Sequence, residues 1–177
     1  PWNSETGSII SNDRHPISER LRNKQIGIRE RVNPSFYVLD EKAVVLGEYI
    51  QTGLPSIAVK DMGSWRSVFI GERQLSVDLL RGLARFAGVH VWSQSSDVVR
   101  VALPFLAVHS VGDGVVYLQL PQKQMVYDLT EHRLLAEDAV NLRLNMRAGQ
   151  TGLYVVGGYE HLQALGISCL LYTSPSP

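Results

Sequence analysis

The chain has little cysteine and no excess of charge, and each of these absences excludes a class of protein. Cys169 is its single cysteine, which excludes an internal disulfide framework and a zinc site built on several cysteines. The 17 basic side chains equal the 17 acidic ones, whereas a nucleic-acid binder usually carries a basic excess. No apolar run approaches the ~20 residues of a membrane span. We therefore expect neither a nucleic-acid nor a membrane partner.

The two ends of the chain indicate a fragment. It begins at Pro1 rather than at methionine, and we expect an internal piece of a longer protein, with the cytoplasm as the default location. Residues 170–177 resemble translated sequencing-adapter DNA, which is found at the ends of many unrelated predicted proteins. The tail at 158–177 is therefore expected to be partly non-native, from about Ile167, and Cys169 loses any claim to chemistry.

The stretch from Gly53 to Trp92 carries the clearest pattern of secondary structure. It predicts strands at Ile57–Val59 and Ser67–Ile70, a helix at Ser76–Ala87 and a further strand at Val89–Trp92. This order is typical of a layered α/β domain. We assign such a domain, incomplete, to residues 1–95.

Two helices are predicted in this part. Ser76 is the expected N-cap of the first, and Arg81 and Arg85 are expected to face outward. Its apolar stripe consists of Leu79, Leu80, Leu83, Phe86 and Ala87. A second helix is predicted at 41–52, because Asp40 can cap it and apolar residues follow at helical spacing.

Residues 96–157 show short β-prone runs and little helical periodicity. Gly112-Asp113-Gly114 predicts a hairpin turn between two of them. The pattern favours a small all-β domain of sandwich-like form or an open sheet, followed by a short helix at Glu160–Leu165. The predicted strands are 98–103, 105–110, 115–120, 124–128, 140–146 and 152–156.

Catalytic patterns are missing from the sequence. There is no Gly-x-Ser-x-Gly elbow, no phosphate-binding glycine loop and no metal-type spacing among the histidines. His90 and His109 alternate with valines and are interpreted as structural or surface residues. Asp61 and Glu72 follow predicted strands, yet any two acids can resemble a glycosidase pair. We assign no catalytic, cofactor-binding or metal-binding residue and expect no cofactor.

Trp65 and Trp92 are the candidate sugar contacts. An indole face suits the apolar patches of a pyranose ring, although tryptophan more often packs a sheet or an interface because it buries a large area. We favour the packing role and keep the sugar-contact role open for both residues.

Short phrases in a consistent order resemble the C-terminal region of bacterial glycoside hydrolases related to the family-42-type β-galactosidases. The resemblance covers about residues 15–157, and the order of the phrases makes the set more specific than any one of them. The phrases are His15-Pro16-Ile17 with Arg20-Leu21, Ala43 to Gly47, Pro55 to Lys60, Trp65 to Phe69, Leu79 to Arg81, Ala87 to Val91, Phe105 to His109, Leu120-Pro121 and Val126 to Leu129.

This resemblance implies a flavodoxin-like, class I glutamine-amidotransferase-like fold for the first part, called the trimerisation domain in that family, and a small β domain after it. It implies no amidotransferase activity. The family's catalytic glutamates lie on an upstream TIM barrel that this chain lacks, so the fragment itself is not expected to be an enzyme, whereas its parent is. The implied partners are that barrel and further copies of the same protein.

Two functions therefore remain open. The first is a non-catalytic accessory and assembly region of a β-galactosidase-like glycoside hydrolase in carbohydrate metabolism. The alternative is a carbohydrate-binding module that retains its own sugar site, through Trp65 or Trp92. The sequence leaves open the substrate, the linkage and the oligomeric state.

Overall fold

The chain folds into two compact units, which divide between Val89 and His90. A computed structural model describes residues 2–21, 23–28 and 30–167, with the backbone alone for 2–5. The end of the predicted tail, including Cys169, lies outside the described residues. Each unit has its own antiparallel sheet, and each is described below by itself.

Unit 1 contains a five-stranded antiparallel sheet with the order β3-β2-β5-β6-β7, a separate two-stranded ladder, β1-β4, and one helix among its described residues. Its elements are β1 (Trp2–Glu5), β2 (Ser8–Ile10), β3 (Gln25–Ile26), β4 (Arg31–Ser35), β5 (Val44–Tyr49), β6 (Pro55–Asp61), β7 (Arg66–Ile70) and α1 (Val77–Phe86).

Helix α1 covers one face of this sheet. The Ser76 hydroxyl accepts a hydrogen bond from the Leu79 amide at 3.2 Å, as the capping pattern predicted. Leu79 is fully buried and joins a core that is built from the sheet and from Ile17, which lies between β2 and β3. That core consists of Ile10, Ile17, Ile26, Leu46, Ile57, Val59 and Leu79.

Unit 2 contains one five-stranded antiparallel sheet with the order β11-β10-β12-β9-β8, followed by a short helix. Its elements are β8 (Val98–Ala102), β9 (Phe105–His109), β10 (Gly114–Asp128), β11 (Arg133–Met146), β12 (Thr151–Gly157) and α2 (Tyr159–Ala164).

Strands β10 and β11 form a long ribbon whose pairing is irregular between Gln119 and Gln124. Such an irregularity bends a strand and increases its twist. The first half of β10 and the second half of β11 contribute alternate apolar residues to the same core as β9 and β12. This core consists of Leu106, Val108, Val116, Leu118, Leu120, Val126, Leu142, Leu144, Met146, Tyr154 and Val156.

The α/β prediction for residues 1–95 is wrong. A flavodoxin-like or class I glutamine-amidotransferase-like domain needs parallel strands joined by crossover helices, whereas the pairings of the unit 1 sheet are antiparallel. The helix predicted at 41–52 is strand β5, and Val89–Trp92 is not a regular strand. The trimerisation domain that the resemblance implied therefore has no support in this architecture.

Two predictions for the β region need correction as well. Its strands belong to one sheet, which agrees with the open-sheet alternative and not with the sandwich-like form. The Gly112-Asp113-Gly114 turn does not join a hairpin, because β12 lies between β9 and β10. The strands on either side of that turn were nevertheless placed correctly, as was the short helix that follows β12.

Neither helix in the described part of the chain is long enough to span a membrane, since α1 has 10 residues and α2 has 6.

Candidate functional site

The segment that contains Trp92 lies along one side of β10 in unit 2. Ser93 forms an isolated antiparallel bridge with Leu118, and the Gln119 amide donates to the Trp92 carbonyl at 2.8 Å. His90 lies 2.7 Å from the Gln119 carbonyl oxygen through Nε2, and its ring meets the Trp92 indole edge-on, with centroids 5.3 Å apart. Trp92 is half-buried and packs against the core of unit 2. These bonds fix the segment without a full strand.

Strand β11 pairs with the other side of β10. In the register of this ladder Tyr117 lies opposite Arg143, and Gln119 lies opposite Asn141. All four side chains are on the exposed face, because neighbours such as Leu118 point into the core. The guanidinium carbon of Arg143 is 5.3 Å from the centroid of the Tyr117 ring, a cation–π distance.

Residues 91–95 and these two strands enclose a groove of about 540 Å³. We call it the Trp92 groove. Its size lies within the ~300–1,000 Å³ of small-molecule sites. The described residues that line it offer aromatic rings, carboxamides, hydroxyls and one guanidinium, but no carboxylate.

Four polar side chains of the groove, on β10 and β11, carry hydrogen-bonding groups that the described residues leave unused. Tyr117, Gln119, Asn141 and Arg143 form no side-chain hydrogen bond or ion pair with any described residue. Carboxamides and phenols both donate and accept hydrogen bonds, whereas a guanidinium only donates. The exposed face of the ribbon therefore carries donors and acceptors beside an aromatic ring.

Asp97 fixes the loop that follows the segment at 91–95. Its Oδ1 accepts hydrogen bonds from the Ser110 hydroxyl at 3.1 Å and from the Val111 amide at 3.0 Å. Hydrogen bonding, mainly with Ser95 and also with these two groups, holds the pKa of the Asp97 carboxyl below its ordinary value against the opposing effect of burial. The hydrogen bonds of this loop therefore stabilise the charged form of the Asp97 carboxyl.

Trp65 lies elsewhere, in unit 1, next to the turn between β6 and β7. It is 57% exposed and lines a separate depression of about 410 Å³ with residues of α1. Arg66 covers part of this surface, since its guanidinium carbon lies 4.3 Å from the Phe86 ring centroid. The two candidate tryptophans therefore line different cavities, one in each unit.

Asp61 and Glu72 do not form a carboxylate pair. Asp61 lies opposite Arg66 at the start of β7, and Glu72 lies beyond its other end. The five residues of β7 span about 17 Å, more than the ~5–10 Å of glycosidase pairs. Asp61 accepts from the Gly63 amide at 2.7 Å in its turn. Glu72 is buried and accepts from the Gly7 amide at 3.0 Å and from the Ser8 hydroxyl. Both carboxylates therefore have local structural partners.

The two strand-region histidines singled out from the sequence, His90 and His109, have local partners too. Apart from His90, His109 places Nδ1 2.8 Å from the Thr151 hydroxyl of the neighbouring strand. Within the described residues, no group of three or more histidine, cysteine, aspartate and glutamate side chains is arranged to hold a metal ion.

Of the residues that line this groove, the sequence singled out Trp92 but not Tyr117, Gln119, Asn141 or Arg143. The alternation of apolar and polar residues along β10 and β11 does place these four on the exposed face. The alternation does not reveal the register of the ladder, which brings Tyr117 opposite Arg143, 26 positions further along the chain.

Comparison with known proteins identifies the fold but no family. No protein-family model matches the chain, and no curated protein is detectably similar to it in sequence. The β-galactosidase from Bacillus circulans sp. alkalophilus is similar in structure, with a TM-score of 0.53 and 18% identity over 85% of this chain and 22% of that chain. The cold-adapted β-galactosidase from Rahnella sp. R3 has a TM-score of 0.48 and 14% identity over 86% and 22%. The chain spans about a fifth of either β-galactosidase.

Proposed function

We propose that this chain is a non-catalytic accessory region of a β-galactosidase-like glycoside hydrolase that acts in carbohydrate metabolism. The observation that carries the proposal is the likeness in fold to a segment of the Bacillus circulans β-galactosidase. The chain matches 22% of that longer protein. In the proposal, the catalytic groups of the parent lie on the upstream barrel that the family resemblance implied. The separation of Asp61 from Glu72 supports a non-catalytic role.

An exposed apolar face in unit 2 supports a role in assembly. Phe105 is 46% exposed, Leu153 49% and Val98 46%, on three neighbouring strands of the sheet. They share one face, since the intervening Leu106 and Val108 point into the core. Large exposed apolar patches often mark interaction surfaces. In the proposal, this face packs against the barrel of the same parent chain or against another copy of the protein.

The accessory role is tested by assaying the purified chain with aryl β-galactosides. We expect no turnover above that of a buffer blank, because the reaction needs two carboxylates flanking the sugar. Turnover that co-purifies with the chain and is lost on Asp61→Asn or Glu72→Gln would refute the proposal. Recovery of the upstream coding sequence provides a second test, since a gene that starts next to Pro1 contradicts an upstream barrel.

A second candidate function is a carbohydrate-binding module with its own sugar site. The observation that favours it is the Trp92 groove, which combines aromatic rings with carboxamides on β10 and β11 that form no side-chain hydrogen bond with any described residue. The two functions are compatible, because a region without catalytic groups can still hold a sugar. Titration of the chain with oligosaccharides tests this function separately from the turnover assay.

A further inference from the structure

We infer that the Trp92 groove binds a neutral pyranose ring, with Tyr117 as the stacking platform and with Gln119, Asn141 and Arg143 as its hydrogen-bonding groups. This inference rests on the second candidate function and deepens it, by naming the residues and the class of ligand. It does not require a catalytic barrel, because the lining residues all belong to unit 2.

The position of Tyr117 is the first argument. Its neighbours along β10, Val116 and Leu118, are each 2% exposed, whereas Tyr117 is 57% exposed although Arg143 lies over its ring. The phenol therefore adds little to the core and presents an aromatic surface to solvent. Such a surface packs well against the C–H groups on one face of a pyranose.

The polar groups around this ring are the second argument. Asn141 and Gln119 lie directly across the β10–β11 ladder from each other, one position from the Tyr117 side chain on the same face. Each carboxamide can donate and accept, as can each sugar hydroxyl. A hydroxyl-rich ring can therefore satisfy these side chains, which have no hydrogen bond to the described residues.

Charge selects a neutral ligand. The lining holds no carboxylate among its described residues, so a cationic ligand would find no counter-charge. Arg143 is its one formal charge and lies over the Tyr117 ring. A single exposed guanidinium contributes little to the affinity for an anion, because exposed ion pairs are weak. The remaining polar groups suit neutral hydroxyls.

The groove is also rigidly framed. Three contacts join its outer segment to β10: the Ser93–Leu118 bridge, the Gln119-to-Trp92 hydrogen bond and the contact of His90 with the Gln119 carbonyl. Asp97 holds the next turn through Ser110 and Val111. A site whose walls are fixed before binding loses less entropy when the ligand enters.

The test titrates the whole chain with methyl β-D-galactopyranoside, with lactose and with glucuronate, and follows tryptophan fluorescence and saturation-transfer NMR. We expect saturable binding, which Tyr117→Ala weakens about tenfold. Tyr117→Phe keeps the ring and should bind within about twofold of the wild type. Asn141→Ala should weaken binding about fivefold through the lost hydrogen bonds. Trp65→Ala, which removes an exposed aromatic side chain from unit 1, is the matched control and should bind as the wild type does.

The outcomes separate the inference from the candidate function. No saturable binding of any neutral saccharide overturns both. Binding that survives Tyr117→Ala and is lost in Trp65→Ala leaves a sugar module in place but overturns the groove as its site. Preference for glucuronate over the galactoside overturns the neutral ligand. Tyr117 and Asn141 are exposed, so their variants should keep the wild-type circular dichroism and melting temperature.

Discussion

At the scale of single residues, Gly82 shows how tertiary packing overrides helix propensity. It lies inside α1, where alanine is about 1 kcal/mol more favourable than glycine. A Cβ built at this position would lie 2.0 Å from the Ile17 carbonyl oxygen. Because that atom belongs to the backbone, the clash cannot be relieved by rotating a side chain.

Gly82→Ala is therefore expected to destabilise unit 1 in spite of the gain in propensity. Overpacking costs about 1–3 kcal/mol, and a clash with backbone belongs at the upper end of that range, so the net loss after the propensity term is up to about 2 kcal/mol. Urea unfolding followed by tryptophan fluorescence measures it. Gly112→Ala is the control, since no atom lies within 4 Å of its new Cβ. A higher midpoint for Gly82→Ala than for the wild type would show that Ile17 is not packed on this helix.

At the scale of elements, the N-cap of α1 was predictable from the sequence, whereas the side of α1 that is buried was not. Ser76 caps α1 as expected, but Leu80, assigned to the apolar stripe, is 48% exposed, and Arg85, expected outside, buries its Nε. Gly82 lies on the buried side of α1, against the Ile17 backbone. A glycine adds nothing to a hydrophobic pattern, so the sequence could not show that it marks the buried side.

Strand β5 was mistaken for a helix for a comparable reason. Its pairing with β6 shifts near Gly47, so that Leu46 and Gly47 are both buried. The shift breaks the two-residue alternation of a strand and leaves spacing that fits a helix. Asp40 does act as a local cap, but of a turn, since its Oδ1 accepts from the Lys42 amide at 2.9 Å.

The turn at Asp97 is an element whose stability should depend on pH. Its folded pKa is lowered, so its contribution is present above the unfolded value of ~3.9 and is lost as pH falls through the folded pKa. Asp97→Asn should destabilise unit 2 at pH 7 by about 1 kcal/mol, allowing for solvent screening.

Urea unfolding of wild type and Asp97→Asn between pH 7 and pH 2 measures this dependence. The difference in the free energy of unfolding should stay constant down to about pH 5 and shrink below pH ~4. Asp113→Asn is a control on a nearby loop, where one aspartate oxygen accepts a single backbone hydrogen bond from Ala148. A difference that persists unchanged at pH 2 would show that the charge of Asp97 is irrelevant to the turn.

At the scale of the whole molecule, the sheet content of residues 98–157 followed from the sequence because turns and alternation are local. The order of strands did not, since β12 inserts between β9 and β10, which are consecutive in the chain. Long-range order of this kind depends on which apolar faces pack together. The Trp92 groove could not be predicted for the same reason, because the segments that form its walls are distant in sequence.

This architecture predicts that residues 90–167 fold as an independent domain. The ladder partners of β8 to β12 all lie within unit 2, and so do the members of its two core clusters. The excised unit should therefore show β-type circular dichroism and one cooperative thermal transition.

Leu106→Ala removes a side chain that is 1% exposed and should lower the free energy of unfolding of this unit by about 2–5 kcal/mol. Leu153→Ala, on the adjacent strand but 49% exposed, should change the stability by less than about 1 kcal/mol. Equal effects of the two variants, or a thermal transition without cooperativity, would mean that the excised unit does not form its hydrophobic core by itself.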